Sequence, residues 1–168
     1  MPDRRIRYFL KSKDAKALLG RASDELGFDF RILFKSKVEV EAFESEIGQI
    51  LLIEGKPALI VTDESIYPTL IFDEYLHFAP KVVVDMGAVP HVCNGANVMV
   101  PGVRRYEGKF DKDSIVYVVD EIHGKPIALG QTLFDHEEVK TLDQGVVVRN
   151  LFHVGDKAWN LIKELTSR

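Results

Sequence analysis

Six side chains could carry nucleophilic or metal chemistry: Cys93 and the five histidines His77, His91, His123, His136 and His153. Zinc needs several thiol or imidazole ligands converging at tight spacing, and none of these histidines is paired with another at such spacing. With no metal site and no nucleotide fingerprint, no cofactor is expected. His91 and Cys93 form a nucleophile pair on paper. Two-residue spacing puts them on different faces of a helix, so Cys93 reads as a small core residue. A nucleophile elbow, a glycine-lysine-serine phosphate loop and a dinucleotide fingerprint are all missing. The acids have structural readings. Asp120 and Glu121 end a strand, Glu137 and Glu138 open a helix, and Asp85, after three valines, sits where it can cap free N–H groups.

The remaining chemistry lies between residues 88 and 105. Glycine lets a phosphate or ribose reach main-chain N–H groups with no Cβ in the way. Asn94 and Asn97 can each donate and accept, and Arg104 and Arg105 can grip phosphate with two parallel bonds. Read by types and spacing alone, the stretch could also be ordinary turn chemistry.

These residues must be positioned by regular elements. "KVVVD" (81–85) reads as a buried strand. Pro90 is tolerated only in a first helical turn, so a short helix starts near Gly87 or Ala88 and Gly95 ends it in a left-handed conformation. Val89, Val92 and Ala96 should face inward, His91 and Asn94 outward. In "NVMVPG", Val98 and Val100 should fill the core. "DSIVYVVDEI", the turn "HGKP" and "IALGQTLF" give a hairpin. Asp135 and Glu138 stand at capping-box spacing. "GVVVRNLFHVGD" is a last strand, with Arg149 and His153 on one face. Asp156 caps a final helix carrying Trp159, Ile162 and Leu165.

Upstream, "RIRYFL" (5–10) alternates as a strand. A helix follows with Ala15, Leu18, Leu19, Ala22 and Leu26 at helical spacing and Gly27 as its stop. "KVEVEAFE" (37–44) is a strand, and "QILLIEGKPALIVTD" is a hairpin turning at Gly55-Lys56-Pro57. "GKPAL" at 55 and "GKPIAL" at 124 read as the same turn chemistry used twice. The pattern restarts near residue 80. The expected organisation is α+β: a small N-terminal domain over 1–77, then a mixed β pseudobarrel with short helices over 78–168.

With 168 residues the chain can bury a real core. One cysteine allows no internal disulfide and fits a reducing, cytoplasmic setting. No apolar run is long enough for a membrane helix or a signal peptide. Net charge is −4, unevenly spread. Residues 1–37 hold ten Lys/Arg against five Asp/Glu (+5), residues 38–80 one against nine (−8), and residues 81–168 eleven against twelve (−1). A whole-molecule basic footprint is absent. The basic cluster Arg4, Arg5, Arg7, Lys11, Lys13, Lys16 and Arg21 is either a local phosphate footprint or a solvated helix face with a terminal strand. The acidic stretch either docks a basic partner or keeps a sheet edge soluble.

"VVVDMGAVPHVCNGANVMVPGV" resembles the opening of the PUA domain, named for pseudouridine synthases and archaeosine transglycosylases. Asp85, Gly87, Ala88, Gly95, Ala96, Pro101 and Gly102 stand at matching positions. "IALGQTLF" and "GVVVRNLFHVGDKAW" match later parts. The "NGANVMVPG" wording behind a separate N-terminal domain is most similar to the malignant T-cell-amplified-sequence family of archaea and eukaryotes. The resemblance implies an RNA face built from the first helix, the following strand and the last strand. Carried over by position, that face is His91, Asn94, Gly95, Ala96 and Asn97, with Arg104 and Arg105 beyond the strand, Arg149 and His153 on the last strand, and Lys157 opening the terminal helix. It implies a non-enzymatic RNA-binding adaptor for tRNA or small-subunit ribosomal RNA in translation initiation, reinitiation or recycling, with the ribosomal small subunit or a translation factor as partner. The alternative is an accessory subunit or small enzyme of tRNA or rRNA modification or of ribosome biogenesis.

Overall fold

The computed structural model describes residues 6–30 and 39–167. Arg4 and Arg5 of the basic cluster, and the Lys37–Val38 opening of the 37–44 strand, lie outside the described residues. The chain divides into two compact units, Met1–Tyr75 with Leu165–Arg168, and Leu76–Glu164. Among the described residues, no helix is long and apolar enough to cross a membrane.

The first unit is an antiparallel meander, β1 (Arg7–Phe9), β2 (Val40–Ser45), β3 (Gly48–Ile53), β4 (Lys56–Val61) and β5 (Ile66–Pro68), paired in chain order. Helix α1 (Ser12–Leu26) buries Ala15, Leu19, Ala22 and Leu26, a stripe at helical spacing. Gly27 ends it at φ +66°, donating its N–H to the Ser23 carbonyl, as the sequence indicates. The β3–β4 hairpin turns one residue earlier than expected. Glu54 and Gly55 both have positive φ, the signature of a two-residue turn that matches strand twist, and Lys56 and Pro57 already belong to β4. Helix α2 (Asp73–Phe78) follows β5.

The second unit is a six-stranded mixed sheet. Its strands are β6 (Lys81–Val84), β7 (Val98–Met99), β8 (Val103–Glu107), β9 (Ile115–Asp120), β10 (Pro126–Thr132) and β11 (Val146–His153), in the order β7-β11-β10-β9-β6-β8. The β6–β9 pair is parallel. The edge strands β7 and β8 are one continuous stretch of chain, bent at Val100–Gly102. Val98 and Met99 pair with β11, while Val103 to Glu107 pair with β6. The segment thus joins both sheet edges and curls the sheet toward a barrel, leaving few open backbone groups. The core includes Val82, Val84, Val92, Val98, Val118 and Val148, with Val100 and Cys93 half-buried against it. Short helices α3 (Val89–Val92) and α4 (His136–Val139) and the longer α5 (Lys157–Thr166) complete the unit.

The final helix α5 carries Trp159, Ile162 and Leu165 as expected, with Ala158, Ile162 and Leu165 buried and Trp159 half-buried. Two local expectations are overturned. Asp135 precedes α4, but its carboxylate accepts the N–H of Lys112 at 2.7 Å, so no capping box forms. The "HGKP" turn does not repeat the β3–β4 turn. It is a longer loop organised by Asp120, whose carboxylate accepts the N–H groups of Ile122, His123 and Lys125. Burial alone would raise this carboxyl. The N–H donors outweigh it and hold the group below the ordinary carboxylate range.

Candidate nucleic-acid interface

The α3 end of the pseudobarrel begins at Asp85, whose Oδ1 accepts the N–H of Ala88, the residue ahead of α3, at 2.8 Å; it tightens the turn into the helix, and α3 itself has no side-chain cap. Pro90 sits in the first turn of α3. At the other end, Gly95 N–H donates to the Val92 carbonyl and Ala96 N–H to the His91 carbonyl, both at 3.0 Å. This pair of bonds around a left-handed residue is a Schellman stop, and Gly95 is at φ +94°. Ala96, expected inside, is exposed, because the stop swings it past the end of the helix. His91 and Asn94 are exposed as expected. Burial raises the Cys93 thiol, which stays protonated as a core residue would.

A side chain that the sequence reasoning passed over fixes the loop after α3. Asn150, on β11, donates from Nδ2 to the carbonyls of Val92 at 3.0 Å and Ala96 at 2.9 Å. Its own N–H donates to Asn97 Oδ1 at 2.9 Å. Asn97, expected to be an outward contact, spends its oxygen inside this clasp. The signal for Asn150 was present: asparagine is depleted in strands, and this one interrupts an apolar strand.

His153 closes the arrangement. Its Nδ1 lies 3.0 Å from the Val154 carbonyl, and its Nε2 is 3.4 Å from where a Cβ on Gly95 would sit. Its N–H donates to Asp156 Oδ2 at 2.8 Å. The other Asp156 oxygen accepts the Trp159 N–H at 2.8 Å, so Asp156 caps α5 and ties His153 to the helix that Lys157 opens. Lys157 is exposed.

Arg149 and His153 do not share a face. Residues Ala128, Leu129, Gly130 and Gln131 pair with His153, Phe152, Asn150 and Arg149, which leaves Leu151 as an extra residue on β11. That bulge reverses the alternation. His153 falls on the Gly130 and Asn150 side, while Arg149 is on the Gln131 side, donating to Gln131 Oε1 at 2.6 Å.

A second bulge falls at Arg104. Strand β6 pairs Val83 with Arg105 and Val84 with Val103, so Arg104 is unpaired in the ladder. Its Nε donates to Glu121 Oε2 at 2.9 Å, and Glu121 Oε1 accepts the N–H of Met86, just ahead of α3. Arg104 therefore belongs to the N-terminal side of the α3 region. Arg105, in regular register, is ion-paired to Glu107 at 3.0 Å. The structure brings His91, Asn94, Gly95, Ala96, Asn97 and His153 together and attaches Lys157 and Arg104 at the two ends. Arg105 and Arg149 stand apart.

A curled mixed sheet closed by one bent segment, with a short helix and a clasped loop at the closure, defines a PUA-type domain. The PUA domain model matches residues 80–154, and a domain of unknown function (DUF1947) matches residues 6–73. An uncharacterised protein of Methanocaldococcus jannaschii is 36% identical over 158 residues, 93% of this chain and 96% of that one. Translation machinery-associated protein 20 of Eremothecium gossypii is 34% identical over 136 residues, 76% of this chain and 75% of that one. A PUA domain crystal structure from Aeropyrum pernix K1, a tartrate complex, superimposes with a TM-score of 0.82 at 27% identity, covering 96% of this chain and 93% of that one. A Danio rerio protein named Malignant T-cell-amplified sequence 1 is 25% identical over 118 residues, 67% of this chain and 65% of that one. The chain belongs to the family of PUA-domain proteins that includes translation machinery-associated protein 20, and it resembles Malignant T-cell-amplified sequence 1.

Proposed function

We propose that this protein is a cytoplasmic RNA-binding adaptor of the translation machinery, without catalysis of its own, and that it binds tRNA or small-subunit ribosomal RNA. The RNA face we assign is His91, Asn94–Asn97 and His153, flanked by Lys157 and Arg104. The observation that carries this reading is the convergence at Gly95. A loop from one end of the PUA unit and a histidine 58 residues later (153 − 95) meet on a shaped, polar and partly exposed surface. Family membership and the translation-associated relatives support the setting. Arg105 and Arg149 act, on this reading, only as distant positive charges. We assign residues 1–77 as one domain and residues 78–168 as the RNA-binding one.

A net-acidic protein with few phosphate contacts should bind RNA modestly and in a salt-dependent way, with log K falling by about 0.7–0.9 per contact per log unit of salt. Filter binding of tRNA and of small ribosomal subunits from low to moderate salt tests this. No retention of either at low salt defeats the reading. A new modified nucleoside, found by mass spectrometry after incubating the protein with total tRNA, defeats its non-enzymatic part.

A further inference from the structure

The glycine-containing loop after α3 invites the idea that phosphate docks on its main-chain N–H groups. Five consecutive donors of this turn are already committed. The N–H groups of Val92, Cys93, Asn94, Gly95 and Ala96 donate to Ala88, Val89, His91, Val92 and His91, at 2.9–3.1 Å. None of the five is left for a ligand. The acceptor side is different. The carbonyls of Val92 and Ala96 are taken by Asn150, but no described residue donates to those of the exposed Asn94 and Gly95. His153 adds a third acceptor. Its Nδ1 faces a carbonyl, which can only accept, so Nδ1 carries the proton of the neutral ring and Nε2 keeps a lone pair on the side of Gly95.

We propose that this loop, with His153 Nε2, takes hydrogen-bond donors of a nucleoside, not phosphate. RNA offers two classes of such donors: base N–H groups, the exocyclic amines of adenine and cytosine among them, and the ribose hydroxyls. Phosphate is left to the guanidinium of Arg104, whose Nε is held by Glu121. The proposal rests on the RNA-binding reading and refines it. It also gives Gly95 a second reason to be glycine, since a Cβ there would stand against the histidine nitrogen.

The test measures the affinity of three single-stranded octamers for the full chain: r(AC)4, d(AC)4, and r(PZ)4, in which purine riboside and zebularine replace adenosine and cytidine. The second lacks 2′-hydroxyls, and the third has no base N–H donor at all. One lost hydrogen bond corresponds to about fivefold in affinity. If base amines are the donors, r(PZ)4 binds about fivefold more weakly than r(AC)4; if hydroxyls are, d(AC)4 does. His153→Leu should erase whichever difference is seen and leave the salt slope unchanged. His153→Gln, which keeps an acceptor at similar reach, should retain it. Arg104→Ala should lower the salt slope and leave the discrimination intact. Equal binding of all three octamers, or a discrimination unchanged by His153→Leu, overturns the proposal while the RNA-binding reading stands. No binding of any octamer, together with none of tRNA, removes both.

Discussion

Two parts of the PUA unit carry polar side chains of similar number and opposite design. At the clasped end, Asn150, Asn97, His153 and Asp156 bond mainly to main-chain groups, and Gly130 and Gly95 leave room for close approach. At the basic edge, Arg104 and Arg105 on β8 bond to the side chains of Glu121 and Glu107, and Arg149, on the inner strand β11, bonds in the same way to Gln131. A bond to the main chain fixes the fold, and deleting it leaves a backbone group without its partner. An exposed side-chain pair contributes little to stability and can exchange one acceptor for another. The clasped end should therefore be sensitive in stability, and the basic edge sensitive only in electrostatics.

The sharpest way to break that comparison is at Gly130, which pairs with Asn150 beside the bulge. A Cβ there would lie 2.2 Å from Val148 Cγ1 and 2.9 Å from the Arg149 carbonyl. Val148 is a core residue and cannot retreat. Gly130→Ala should cost about 2–3 kcal/mol by overpacking, read by urea unfolding. A cost under about 0.5 kcal/mol would mean that this strand yields and that the clasp is soft. Next comes Asn150→Ala. It deletes two side-chain donors and should cost about 1–2 kcal/mol, with faster amide exchange confined to residues 92–97. Uniform exchange across the unit would show that the clasp is not local.

Asp120 lies between the two extremes, since it bonds to the main chain yet holds the loop that carries Glu121. Its folded carboxyl is lowered, because the N–H bonds outweigh burial. Its contribution is therefore complete above the unfolded carboxylate value of about 3.9 and is lost as pH falls through the folded value. Asp120→Asn keeps one oxygen acceptor and should cost about 1 kcal/mol at neutral pH. The Tm gap to the natural chain should shrink below about pH 4. An undiminished gap at pH 2.5 would attribute the effect to packing and not to charge.

Features set locally and features set by register also differ in how far the sequence discloses them. Features set by neighbours in the chain were legible: the helix stops at Gly27 and Gly95, the cap at Asp156, the first-turn Pro90 and the core-facing Val98. Each depends on a local backbone conformation that few residue types satisfy. Features set by register were not. The bulges at Leu151 and Arg104 arise from pairing with β10 and β6, tens of residues away, and each moves a side chain that simple alternation misplaces. The capping box at Asp135 failed for a related reason, since a main-chain donor 23 residues away claimed the carboxylate. The family resemblance put His91 on the first helix of the PUA unit, Arg149 and His153 on its last strand and Lys157 at the start of the terminal helix, where the structure has them, while Arg104 and Arg105, expected beyond a strand, lie within β8. It carried no information on which of their hydrogen-bonding groups are already used.

The smallest expected effect on stability is at Arg104, and it is the one that sharpens the contrast most. The Arg104–Glu121 pair is exposed, with 59% of the arginine side chain accessible, and Glu121 keeps its bond to the Met86 N–H when the arginine is gone. Arg104→Ala should therefore change stability by less than about 0.5 kcal/mol. Its effect on RNA should be measurable all the same, because a phosphate replaces the carboxylate without rebuilding the fold. Loss of one phosphate contact reduces the slope of log K against log salt by about 0.7–0.9. Arg105→Ala, on the regular part of β8 and paired with Glu107, should leave that slope within error. Equal slope changes in the two variants would mean that the bulge does not aim Arg104 and that the edge acts only through its summed charge. A reduced slope for Arg104→Ala alone would show that one extra residue in a strand separates a contact from a bystander.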